Sequence, residues 1–256
     1  MPGSTDTISL RLPDGGTIRG NYLPGAADFV ILWVHGFGSH RGGEKSAAVR
    51  EECLSRGWAF ANFDFRGHGE SSGTMHELRA SRLLVDLQAI WTWLSAEKGH
   101  SRLGLIGSSM GGFASAWFAV QHPAPVVGCV LLAPAFGFLE RRWSRLGEAE
   151  RDEWRRTGRL CVKNEWVETE LGYGLVEERA DYEPDALARA WNKPALIFHG
   201  LTDDIVPPNE SLSFVSTTAY PGIELRLLKD GDHRLTVYKD EIAREAGRFF
   251  ARLISV

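Results

Sequence analysis

Cysteine is scarce in this 256-residue chain: Cys53, Cys129 and Cys161 are the only three. They are odd in number and form no C-x-x-C pair, which argues against a disulfide framework and against a zinc site. Basic blocks are missing too. The formal charge is −4, and the arginines of residues 140–159 are interleaved with Glu and Asp. That mixture reads as a solvated helix face, not as a nucleic-acid surface. The longest mostly apolar stretch, residues 126–139, contains Pro134 and falls short of the ~20 residues a membrane helix needs. Residues 1–6 are polar, with no charged-then-apolar leader. These absences lead us to expect a reduced, water-soluble, cytoplasmic protein with no nucleic-acid partner and no transmembrane segment. Oligomeric state leaves no signal.

What is present suffices for a sizeable core. With 43% hydrophobic and 24% charged residues, the whole of residues 1–256 reads as one α/β domain. Residues 7–12 and 17–23 flank Pro13-Asp14-Gly15-Gly16 and read as an antiparallel hairpin. Buried strands are expected at 29–34, 59–63, 103–106, 126–132, 195–198 and 223–228. Helical patterns lie between them at 44–56, 77–97, 110–121, 209–218 and 237–253. In the second helix, Leu83, Leu84, Leu87, Ile90, Trp91 and Leu94 make one apolar face. Such alternation predicts a mainly parallel, doubly wound sheet with the hairpin leading it. Residues 135–193 interrupt the pattern with Trp143, Trp154, Trp166 and Trp191, many charges and no buried strand. They read as a small helical lid inserted over the C-terminal ends of the strands, where ligands bind in such sheets. Cys129, inside an apolar run, reads as a small core residue.

The strongest local signal is Gly107-Ser108-Ser109-Met110-Gly111-Gly112, a G-x-S-x-G pattern between a strand and a helix. A serine on that turn is held exposed above the sheet, and the flanking glycines relieve the crowding. Ser109 is therefore the expected nucleophile, and it needs a base. Of eight histidines, only His199 and His233 follow it. His233, in Gly231-Asp232-His233-Arg234 after the last strand, suits the chain order serine, acid, histidine. The acid should follow the penultimate strand, where Asp203 and Asp204 are adjacent. The H-G-x-x-D-x-x-V-P spacing favours Asp203 and leaves Asp204 as a turn or cap residue. Asp64 reads as a structural turn residue, and Asp232 as a residue serving the histidine loop. An oxyanion hole needs two N–H donors. The Met110 amide supplies one, and the Phe37 amide in His35-Gly36-Phe37-Gly38 is the expected second, with His35 a structural residue of that loop. Phe37, Met110, Phe136, Phe138, Trp143 and Trp166 are candidates for an apolar acyl pocket.

Taken together, His35–Gly38, Asp64–Ser71 (D-F-R-G-H-G-E-S), the Ser109 turn, H-G-L-T-D-D-I-V-P and G-D-H-R resemble the α/β-hydrolase superfamily. The chain looks most like its small, short-lidded serine esterases and acyl thioesterases, including the palmitoyl-protein thioesterase branch. The resemblance implies a triad of Ser109, Asp203 and His233, with no cofactor or metal. It implies hydrolysis of small-molecule carboxylic esters or acyl thioesters through an acyl-enzyme. Two alternatives stay open. A proline-aminopeptidase-like peptidase would need lid carboxylates such as Glu148, Glu150, Glu165 or Glu168 to hold a free amine. A slow-turnover receptor on the same scaffold would retain its ligand.

Overall fold

A computed structural model describes residues 5–26, 28–163 and 167–255. The chain opens with β1 (Asp6–Arg11) and β2 (Thr17–Leu23), paired antiparallel from Asp6–Tyr22 to Arg11–Thr17. It continues through β3 (Phe29–Val34), α1 (Glu44–Ser55), β4 (Ala59–Asp64), α2 (Ala80–Ala96), β5 (Arg102–Ser108), α3 (Met110–Gln121) and β6 (Val126–Leu132). An insertion then carries α4 (Phe138–Ser144), α5 (Glu148–Thr157), β7 (Arg159–Lys163), β8 (Glu168–Gly172), α6 (Gly174–Glu177) and α7 (Pro184–Ala190). The main sheet resumes with β9 (Ala195–Gly200), α8 (Asn209–Thr217), β10 (Ile223–Leu228) and α9 (Lys239–Ile254).

The order across the eight-stranded sheet is β1-β2-β4-β3-β5-β6-β9-β10. Only the pairings of β2 with β1 and with β4 are antiparallel; the expected hairpin leading a parallel sheet is what forms. Every residue of β3, β4 and β9 is buried, as strands covered on both faces require. In β3, Val30, Leu32 and Val34 join the core under α2 and α3, while Phe29, Ile31 and Trp33 join the one under α1 and α9. Cys129 is buried in the first of these.

Helix starts differ from the sequence reading where local capping intervenes. The pattern at 77–97 begins as a one-turn 3₁₀ segment, Met75–Glu77, with the Glu77 carboxylate accepting the Thr74 amide. Leu78 and Arg79 are then extended, so α2 starts only at Ala80. Likewise Leu235, at φ +52°, and a 3₁₀ turn at Thr236–Tyr238 precede α9.

The insertion is not wholly helical, which corrects the expectation for residues 135–193. Gly158, at φ +73°, ends α5, and β7 and β8 then pair as a separate antiparallel hairpin. Its strands are amphipathic: Leu160 and Val162 turn inward, whereas Arg159, Cys161 and Lys163 are exposed. Charge at alternate positions hid the two-residue period. Ion pairs Arg159–Glu170 and Lys163–Glu168 run across the hairpin.

Two buried imidazoles sit where the loops after β3 and β4 meet. His35 accepts the Phe65 amide at Nε2 (3.0 Å) and holds the Gly36 carbonyl through Nδ1 (2.8 Å), tying one loop to the other. His68 stands 5.1 Å from it, ring to ring, with neither nitrogen hydrogen-bonded. Burial pushes His35 down to about 3 and His68 to about 4. In the unfolded chain both titrate near ~6.5. Below that pH the unfolded state binds two protons that the folded state refuses, so stability falls as pH drops from ~6.5 toward 4, by roughly 2–3 kcal/mol per pH unit. Urea titrations across that range should show the slope, and His68→Leu should reduce it by about half. An unchanged slope in the variant would mean that His68 is not held neutral.

Candidate active site

The C-terminal edge of the parallel strands gathers four loops. β5 delivers Ser109, which adopts φ +54°, ψ −115°. Three hydrogen bonds hold it there: its amide donates to the Leu132 carbonyl (2.9 Å), and its carbonyl accepts the Phe113 and Ala135 amides (both 3.1 Å). Glycine is needed around it because no Cβ fits. One on Gly111 would lie 2.1 Å from the Val34 carbonyl oxygen, and one on Gly107 would lie 2.4 Å from that of Gly111.

The loop after β9 presents Asp203 and the loop after β10 presents His233. These loops run together at Gly200 and Gly231, where a Cβ on Gly200 would meet the Gly231 oxygen at 2.0 Å. The Leu201 and Thr202 amides bond across to the Leu228 and Gly231 carbonyls (2.9 and 3.0 Å). In this geometry His233 Nδ1 donates to Asp203 Oδ2 at 2.8 Å, and Nε2 lies 3.1 Å from the Ser109 hydroxyl. The Ser109 proton faces an imidazole nitrogen with a free lone pair in this tautomer.

Asp203 is buried and well supplied with donors. Its Oδ1 accepts the Ile205 and Val206 amides (2.9 and 2.8 Å), and its Oδ2 also lies 3.3 Å from His199 Nε2. Burial would raise its carboxyl. The bonds from His199 and His233 and the charge of His233 outweigh burial and hold it well below the usual carboxylate range. Asp204 is exposed, and the turn role expected of it falls to Asp203 itself. Asp64 and Asp232 are structural: Asp64 accepts the Arg41 and Glu70 amides (2.7 and 3.0 Å), and Asp232 the Leu235 amide (2.8 Å).

Met110 opens α3, where helix amides lack intrahelical acceptors. The Phe37 amide has no hydrogen-bond acceptor among the described residues. Gly36 lets its loop approach the serine: a Cβ there would be 3.3 Å from Ser109 Cβ. The Phe37 ring packs on Phe138 (6.1 Å), which also contacts Phe113 (6.0 Å). The other pocket candidates lie elsewhere. Phe136 stacks on Phe214 (4.3 Å) and lines a cleft of about 270 Å³ beside Pro184 and Pro207. Trp143 is packed on Tyr173 (6.1 Å) with the guanidiniums of Arg151, Arg155 and Arg179 over it. Trp166 lies outside the described residues, as does Glu165.

Two residues with a part in this geometry escaped the sequence reading. His199 is fully buried behind Asp203, with Nδ1 at 2.7 Å from the Ser211 hydroxyl and Nε2 at 2.9 Å from the Val206 carbonyl. The signal was available, since His199 begins the same motif that singled out Asp203. Lys45, on α1, donates to the Ser108 hydroxyl (3.1 Å) and to the Arg234 carbonyl (2.5 Å), strapping the serine turn to the histidine loop. Burial pushes its ammonium down to about 8. No pattern near Lys45 announces contacts with residues 63 and 189 positions away.

Among the described residues no helix is long and apolar enough to cross a membrane. The family model for serine aminopeptidase S33 matches residues 25–152, half of the chain. The mitochondrial palmitoyl-protein thioesterase ABHD10 of Mus musculus is 26% identical over 208 residues, covering 80% of this chain and 69% of the relative. The Homo sapiens protein of that name is 26% identical over 234 residues, covering 90% and 75%. Neither relative supports the expected cytoplasmic location. A putative hydrolase from Agrobacterium vitis S4 superposes with a TM-score of 0.83 at 27% identity, over 99% of this chain and 100% of its own. Mouse ABHD10 superposes with a TM-score of 0.80 at 23% identity, over 98% of each chain. Family, relatives and fold agree. The chain belongs to the serine aminopeptidase S33 family and is an α/β hydrolase of the esterase and thioesterase type.

Proposed function

We propose that this chain hydrolyses carboxylic esters or acyl thioesters by two-step acyl transfer. Ser109 is the nucleophile, His233 the base and Asp203 the residue that orients the imidazole. The observation that carries the reading is the unbroken hydrogen-bond chain from the Ser109 hydroxyl through His233 to the buried Asp203 carboxylate. Ser109 Oγ attacks the carbonyl carbon as its proton passes to His233 Nε2. The Phe37 and Met110 amides hold the oxyanion. The carbon–oxygen or carbon–sulfur bond breaks, and the alcohol or thiol leaves with the proton from Nε2. Water then attacks the acyl-enzyme, giving a proton to the same nitrogen. The acid departs and Ser109 recovers its hydrogen. Asp203 stays ionised throughout and stabilises the imidazolium at each step. The insertion acts as a lid: Phe138 lies against Phe37, and Val167 would be met at 2.0 Å by a Cβ on Gly38.

An aminoacyl substrate fits less well. Glu150 accepts the Gly147 amide (2.9 Å), Glu168 pairs with Lys163 (2.8 Å), and Glu148 is exposed. Two of these carboxylates are engaged on the insertion's own surface and the third is exposed there, which favours esters and thioesters over a substrate with a free amine.

Ser109→Ala should lower kcat on matched acyl esters and thioesters by on the order of 10⁴-fold or more and abolish fluorophosphonate labelling. Undiminished turnover in the variant would remove Ser109 from the mechanism. Labelling of the wild type without turnover beyond one equivalent would favour a receptor.

His199 acts as a positioning residue through Asp203. His199→Asn removes a bond to a charged acceptor, so kcat should fall roughly 10- to 100-fold. KM and the thermal midpoint should change little. A loss in KM, or in folding alone, would limit His199 to packing.

A further inference from the structure

Three arginines crowd one side of the insertion. Arg141, on α4, is paired with Glu210, and Arg145 donates to the Ile205 carbonyl (3.1 Å). Arg142, between them, has no carboxylate and no hydrogen-bond acceptor among the described residues. It lies over an aromatic ring, with Cζ 5.3 Å from the centre of Phe37. Yet it is only partly exposed. Burial and the neighbouring Arg141 and Arg145 charges push it below the ordinary arginine value. A guanidinium offers five N–H donors in a planar fork that matches carboxylate and phosphate oxygens. A ring face fills none of them. This cation is stripped of much of its water and, among the described residues, faces no anion.

Its place gives the anion a source. Arg142 and Phe138 are four residues apart on α4 and share one face. That face covers Phe37: Phe138 packs on its ring and Arg142 lies over it. The Phe37 amide is the proposed oxyanion donor, so an anion held by Arg142 would lie beside the residue that carries that donor. The family's acyl-transfer parts need no charge at this point.

We infer that Arg142 is a specificity residue for an anionic group, a carboxylate or phosphate, carried by the ester or thioester itself. The inference rests on the reading that Ser109 reacts beside Phe37. The group belongs either to the acyl part or to the leaving alcohol or thiol, and either would bring it beside Phe37.

The test uses two substrate series and the variants Arg142→Gln and Arg142→Lys. One series compares 4-nitrophenyl hemiesters of dicarboxylic acids with neutral acyl esters of equal length. The other compares acyl thioesters of carboxylated thiols with those of neutral thiols. The ratio of kcat/KM for anionic over neutral substrate should fall at least tenfold with Arg142→Gln, mainly through KM, and recover in part with Arg142→Lys. The series that responds locates the anion. A ratio unchanged by Arg142→Gln in both series overturns the inference. Calorimetric binding of the same esters to Ser109→Ala, with and without Arg142→Gln, separates the two readings. Binding that depends on Arg142, without Ser109-dependent turnover, would sink the triad and keep the anion site. Turnover that depends on Ser109, with no charge preference, would do the reverse.

Discussion

Everything at the site hangs on one backbone conformation, that of Ser109 at φ +54°, ψ −115°. A side chain in that region costs of order 1–3 kcal/mol, and the surroundings leave no alternative. Gly111 passes so close to β3 that a methyl group would sit 2.1 Å from the Val34 oxygen, and one on Gly112 would sit 2.9 Å from Pro134 Cβ. The start of α3 is thereby wedged against the ends of β3 and β6. The wedge fixes the backbone that carries the Ser109 hydroxyl and, next to it in the chain, the Met110 amide. The same contact brings the Phe37 loop alongside, because Gly36 faces Ser108 and Ser109. The proposed nucleophile and oxyanion donors are thus set by one packing event.

The second constraint is electrostatic. A carboxylate as buried as Asp203 would be neutral without compensation, since burial disfavours the charged form. Two amides on Oδ1 and two imidazoles on Oδ2 supply it. Both ring nitrogens of His199 are occupied, by Ser211 and by Val206 with Asp203, which holds that ring still. His233 has one nitrogen fixed by Asp203 and the other free to exchange a proton. Two histidines approach one carboxylate oxygen, and their different surroundings hold one in place and leave the other the proposed base.

What could be read from the sequence was local. The turn at Ser109, the run from His199 to Pro207 and the loop at His233 each carry their meaning within a few neighbours, because glycine spacing and strand context dictate them. The sheet was legible for the same reason, each strand being a short apolar run. Residues whose role depends on distant partners were not. Lys45 reaches across 189 positions to Arg234, and nothing in its own segment marks it. The insertion misled most. In β7 the two-residue period is carried by Leu160 and Val162 among charges, too short a run to stand out from a polar helix. Aromatic content alone could not tell Phe138, which faces Phe37, from Trp143, which is enclosed by Tyr173 and three guanidiniums.

That division has a physical basis. The residues proposed to do acyl transfer sit on loops whose backbones approach closely, at Gly200 against Gly231 and at Gly111 against Val34, so a substitution there disturbs the sheet itself. The insertion's surface carries ion pairs such as Arg159–Glu170 and Lys163–Glu168, which are weak individually when exposed. Charge can therefore be placed or removed there at small cost. Arg142 is the case in point. In a segment where Arg141 is paired with Glu210 and Arg179 with Glu140, a half-buried cation left without an acceptor is not what folding alone would select. Its neighbours show that this surface readily supplies counterions. Stability therefore does not account for leaving that position open over Phe37, whereas recognition of a charged substrate does.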